Sequence, residues 1–124
     1  MSQPVLVWCE IPVSNIENAC DFYSKAYGYK MEITREDGHA SAVLNREMEH
    51  PSGNLFEAPA DKLGGGNLVV HLQLAAGDSV EAAAERVEQA GGTVTGPLRE
   101  MPFGRFTYAT DPDGNAIGLF EPRA

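Results

Sequence analysis

Over residues 5–13 apolar and other positions alternate with period two, placing Val5, Val7, Cys9, Ile11 and Val13 on one side and Leu6, Trp8, Glu10 and Pro12 on the other. This pattern predicts a strand with one helix-packed face and one mixed face. The period then lengthens. Ser14 and Glu17 form a capping box, and Ile16, Ala19, Cys20 and Tyr23 recur at helical spacing until Gly28 closes the helix. Strands are predicted over 29–36, 39–45 and 54–58, separated by Asp37-Gly38 and Pro51-Ser52-Gly53.

A Pro- and Gly-rich break, APADKLGGG at 58–66, precedes a second passage of the same kind. Over 67–74 Leu68, Val70, Leu72 and Leu74 alternate with Val69, His71 and Gln73, and Asp78 with Glu81 predicts a second capped helix. Shifted by 64 residues, Ile16 falls on Val80, Ala19 on Ala83, Cys20 on Ala84, Tyr23 on Val87, Ala26 on Ala90 and Gly28 on Gly92. The chain therefore reads as a duplicated β-α-β-β-β unit in one α+β domain: module one at about 4–58, a linker at about 59–66 and module two at about 67–122.

The last stretch, GRFTYATDPDGNAIGLF at 104–120, predicts a hairpin around Asp111-Pro112-Asp113-Gly114-Asn115. With Thr110 opposite Asn115, Arg105, Thr107 and Ala109 share the open face with Ala116, Gly118 and Phe120. Phe106, Tyr108, Ile117 and Leu119 then face the helices.

Length and composition narrow the partners. A chain of 124 residues, 43% hydrophobic and 22% charged, suits one globular domain. A formal charge of −9 opposes nucleic acid and anionic membranes. No run reaches membrane-spanning length, and 1–7 has no leader-like pattern, so a cytoplasmic location is expected. Cys9 and Cys20 lack metal-type spacing and are expected as unpaired, buried thiols.

The segments IPVSNIENACDFYSKAYGYKM, VEAAAERVEQAGGTV and DPDGNAIGLFEP, in that order, resemble the vicinal oxygen chelate superfamily of glyoxalase I, extradiol dioxygenases and bleomycin resistance proteins. The resemblance implies two βαβββ modules in a curled mixed sheet around a cleft, and a homodimer. It also implies, in metal-dependent members, a divalent ion on inward-facing His and carboxylate side chains. Trp8 falls where the first-strand His is usual and Gly118 where the last-strand Glu is usual. His71 fits the second module's first-strand position if one extra residue is allowed in the following loop, and Glu57 is a match for the remaining carboxylate. Two donors in four positions fall short of the three that such ions require. No metal cofactor is expected; the alternative set is Glu10, Glu57 and His71.

Without an ion, Trp8, Glu10, Pro12, Val69, His71, Gln73, Arg105, Thr107 and Phe120 would form a mostly apolar wall with a few polar groups, as small-molecule pockets do. Trp8 and Phe120 offer stacking surface, Arg105 a fork for an anion, and Gln73 and Thr107 neutral hydrogen bonds. Glu10, between Trp8 and Pro12, is expected to be partly desolvated. It is either a general base or acid, or the partner of Arg105 or His71. His71 is either a wall residue or a ligand contact, and Tyr23 and Tyr27 are packing residues. Three functions follow: a metal-independent small-molecule binding protein of the glyoxalase and bleomycin-resistance type, a glyoxalase-like lyase, isomerase or dioxygenase, or a dimerisation module without ligand.

Overall fold

The computed structural model describes residues 8–47, 51–64 and 68–123. Val5 to Val7, His50 and Asn67 lie outside the described residues. The elements run β1 (Cys9–Val13), α1 (Ile16–Tyr27), β2 (Ile33–Glu36), β3 (His39–Val43) and β4 (Gly53–Glu57), then a 3₁₀ turn at Ala60–Lys62. The second half follows as β5 (Val70–Gln73), α2 (Val80–Gln89), β6 (Thr93–Val94), β7 (Arg99–Met101), β8 (Gly104–Thr110) and β9 (Ala116–Pro122).

The duplication is visible in the topology. The first sheet runs β1-β4-β3-β2 and the second β5-β9-β8-β6, with β7 also on β8. In each, the opening strand lies parallel to the closing one and the rest is antiparallel. The described strands form two separate sheets rather than one curled sheet. In the second, the strand after the helix is split into β6 and β7 by Gly96-Pro97, a pair that cannot sustain a regular ladder.

Each helix covers one face of its own sheet, and α1 also packs on α2. Val13, Ile16, Tyr23, Ala26, Leu55, Val87, Ile117 and Leu119 are fully buried there. Gly28 ends α1 with φ 79°, a left-handed turn that only glycine adopts cheaply. In α2 the left-handed residue is Gly91, one before the Gly92 that the 64-residue shift selects.

Both N-caps lie one residue later than expected. Asn15 accepts from the Asn18 amide and Ser79 from the Ala82 amide. Glu17 and Glu81, freed from capping, pair instead with Arg35 and Arg105. The repeat then adds a feature that periodicity does not show. Glu57, at the end of β4, accepts from the Ile16 amide at 2.9 Å, and Glu121, on β9, from the Val80 amide at 3.0 Å. Both donor and acceptor positions differ by the repeat length, so each module closes the first turn of its helix with a carboxylate from its own last strand.

The closing hairpin is shifted by one residue from the expected register: Thr110 faces Ala116, and Asp111 is drawn opposite Asn115. Asp111 is the cause. Its buried carboxylate accepts from the amides of Asp113 and Asn115, from the Asn115 side chain and, at 2.8 Å, from the Tyr23 hydroxyl. Asn115 also donates to the Pro12 carbonyl on β1, so the turn fastens the two modules together. A one-residue shift exchanges the faces of β8. Phe106 and Tyr108 stand on the open face with Gly118 and Phe120, and Arg105, Thr107 and Ala109 turn towards α2 with Ile117 and Leu119.

Candidate functional site

The helix-free face of the second sheet is aromatic. Phe106 pairs with Phe120 and Tyr108 with Gly118 across the β8–β9 ladder, while His71 on β5 lies on the other side of Gly118. The imidazole meets Phe106 edge-on, with centroids 5.0 Å apart, and Tyr108 at 5.7 Å. Phe103, itself 61% exposed, stacks on Phe120 at 6.0 Å. Partial desolvation by these rings lowers the His71 pKa, which favours the neutral imidazole at pH 7. Flat, partly exposed rings around a neutral imidazole can stack a ligand and offer it one donor and one acceptor.

The helix-free face of the first sheet carries Glu10 and Pro12 on β1, Trp8 just before it, and Asn54 and Phe56 on β4. Trp8 Nε1 donates to Asn54 Oδ1 at 2.7 Å. Glu10 is exposed, because β1 is a sheet edge and its neighbours do not close over it. The expected desolvation of this carboxylate is therefore absent.

Several expected site residues are elsewhere. Arg105 does not reach the open face: it spans Glu81 and Glu121 beside the start of α2, at 2.6–3.0 Å. Its hydrogen bonds hold both carboxyls below the usual carboxylate range. The expected pairing of Glu10 with Arg105 or His71 is thus replaced by these contacts. Thr107 is buried and donates to the Gly96 carbonyl. Tyr23 and Tyr27 are packing residues that also donate, to Asp111 and to the Gly118 carbonyl. Cys20 is buried and Cys9 half-buried, both free thiols. Gln73 and Phe120 lie on the open face as expected. Sequence reading missed Phe106, Tyr108, Phe103 and Asn54; the last could have been found by carrying the repeat back from Gly118.

The strand pairings also revise the metal positions. Glu10 faces Asn54 and His71 faces Gly118; since Asn54 and Gly118 are one repeat apart, His71 corresponds to Glu10. Three positions separate Pro12 from Asn15 but six separate Gln73 from Ser79, so the second loop is longer by three residues, not one. Trp8 then corresponds to Val69, and the four related positions are Trp8, Asn54, Val69 and Gly118. An indole, an amide, an isopropyl group and a hydrogen do not fit a divalent cation. Glu57 belongs to neither set, since its carboxylate caps α1 from the helix side; the Glu10, Glu57 and His71 grouping is not assembled. Among the described residues no three His, Cys, Asp or Glu side chains are gathered as metal ligands would be.

Beside His71 a cavity of about 430 Å³ opens at the seam of the modules, between Tyr29, Leu44, Asn45 and Ser52 on one side and Gln73 and Ala76 on the other. A second, of about 610 Å³, lies by Arg105 and the loop before α2. No described helix is long and apolar enough to cross a membrane.

The family model that matches, over residues 5–119, is the Glyoxalase/Bleomycin resistance protein/Dioxygenase superfamily. No curated protein matches the chain. Among solved structures, TnmS3, an antibiotic binding protein from Streptomyces sp. CB03234, is 27% identical with a TM-score of 0.62, the match covering 99% of each chain. A glyoxalase/bleomycin resistance protein from the same organism is 28% identical, with TM-score 0.62 over 90% of this chain and 95% of that one. A domain of this type from Frankia sp. EAN1pec has TM-score 0.72 at 21% identity, covering 98% of this chain and all (100%) of that one.

Proposed function

Because the chain belongs to the Glyoxalase/Bleomycin resistance protein/Dioxygenase superfamily, we propose that it is a metal-independent binding protein for a small aromatic molecule, working as a homodimer. The ligand stacks on the helix-free face of the second sheet. The observation that carries this reading is the imidazole of His71 lying over Gly118 between Phe106 and Tyr108. Where metal-dependent relatives would keep a carboxylate, this chain has ring surface. That one similar protein is an antibiotic binding protein supports a small-molecule ligand, and the exposed rings support an aromatic one. A homodimer would shield rings such as Phe103 that one chain leaves exposed.

A thermal-shift and fluorescence titration with polycyclic aromatic antibiotics, with and without EDTA, tests the reading. Binding that persists in EDTA and is lost in Phe106→Ser supports it. Binding that needs an added divalent cation, or no binding by any member of the panel, overturns it. Sedimentation of the free protein at the monomer mass would remove the homodimer.

A further inference from the structure

The seam cavity is chemically unlike the rest of the molecule. In a chain with 22% charged residues, none of its 12 lining residues is Asp, Glu, Lys or Arg. The lining comes from both modules and includes Tyr27 and Tyr29, whose rings stack 4.9 Å apart. Tyr29 holds the seam by donating to the Gln73 carbonyl at 2.7 Å. The Asn45 side-chain Oδ1 accepts from the Lys30 amide. Among the described residues, the Asn45 amino group, the Ser52 hydroxyl and the Gln73 side-chain amide have no protein partner.

We infer that this cavity is a second binding site, for a neutral planar molecule bearing an amide-like donor and acceptor. Its volume falls within the roughly 300–1,000 Å³ of small-molecule sites. A flat ring can lie against Tyr29 and Leu44 while Asn45, Ser52 and Gln73 supply uncharged hydrogen bonds. A charged ligand in the seam would meet no counter-charge, whereas the uncharged donors and acceptors match a neutral amide-like group. The lowered pKa of His71 keeps the remaining wall neutral as well. The cavity shares His71 and Gln73 with the open face but includes neither Phe106 nor Phe120, so a change at Phe106 tells the two sites apart.

Three isosteric probes decide the matter: benzamide, benzoate and benzamidine, titrated into isotope-labelled protein and followed by amide resonances. Benzamide is expected to shift Tyr29, Asn45, Ser52 and Gln73, with the two ions at least tenfold weaker. Ser52→Arg should turn the preference towards benzoate, and Gln73→Glu towards benzamidine; both side chains are exposed, so both variants fold. In Phe106→Ser, benzamide should still bind even where the antibiotics no longer do. Equal binding of all three probes, benzamide shifts centred on Phe106 and Tyr108, or no benzamide binding would each overturn the inference.

Discussion

The imidazole of His71 occupies the volume that any side chain at residue 118 would need. A β-carbon built on Gly118 would lie 2.0 Å from His71 Nδ1 and 2.5 Å from its Cε1. The glycine is there for close approach, and its missing side chain and the ring above it form one unit.

That contact sets the first expectation. Gly118→Ala must displace the ring and should destabilise the fold by about 1–3 kcal/mol, as overpacking does. In a His71→Ala background most of that cost should vanish, giving a coupling well above the few tenths expected of independent sites. Urea melts of the four proteins of the cycle measure it; additive costs would show that the two residues do not share this space.

His71 is exposed at one side, but packing against Phe106 and Tyr108 partly desolvates its ring and lowers its pKa below the ordinary 6.5. For a base lowered on folding, the unfolded chain takes up protons first, so stability is full above the unfolded value and falls as pH drops from there towards the folded pKa. Replacing His71 with Phe removes this term, so the variant's stability should be flatter through that window. The His71 ring-proton resonance, followed by NMR, should titrate below 6.5; a midpoint above it would contradict the packing described.

Asp111 supplies a third test. Tyr23→Phe removes one donor from a buried carboxylate and should cost about 1.5–3 kcal/mol. Burial has already raised the Asp111 pKa, with hydrogen bonds from Asn115, Tyr23 and Asp113 opposing the shift. Loss of the hydroxyl raises it further, so the variant's deficit should grow as pH rises through the carboxyl range and shrink at low pH, where Asp111 is protonated in both. Melts at several pH values check the slope.

Arg105 acts on carboxyls shifted the other way from Asp111, downward rather than upward. Glu81 and Glu121 are held below the usual carboxylate range, first by their hydrogen bonds to Arg105. The stability they contribute is present above the unfolded pKa of a carboxylate and is lost as pH falls through the depressed values. Arg105→Gln should therefore unfold at higher pH on acid titration followed by circular dichroism. An unchanged acid midpoint would show that these exposed pairs are too screened to matter.

The fold was legible because its signals are periodic and doubled: alternation in 5–13 and 67–74, helical spacing after each, and a constant shift of 64 residues. Those signals survive an error of one residue. The site did not, because side-chain hydrogen bonds decided it. The capping-box patterns Ser14/Glu17 and Asp78/Glu81 put both caps a residue early, since Asn15 and Ser79 were equally good acceptors nearby. In the hairpin, Asp111 gathered Asn115 across the turn, and that single step exchanged Arg105 and Thr107 for Phe106 and Tyr108 on the open face. The loop before α2 hid three extra residues for a similar reason: 75–77 carry neither a period nor a charge to mark the insertion.

The carboxylate latches at Glu57 and Glu121 reach beyond stability. Each half ties off its own helix, so a half can leave its sister without unravelling its first turn. The bonds that cross the seam, from Ser14, Tyr23, Tyr27, Tyr29, Arg86 and Asn115, are a different set. Closure of each helix and cohesion of the two halves thus rest on separate side chains, and either can be weakened by mutation without touching the other.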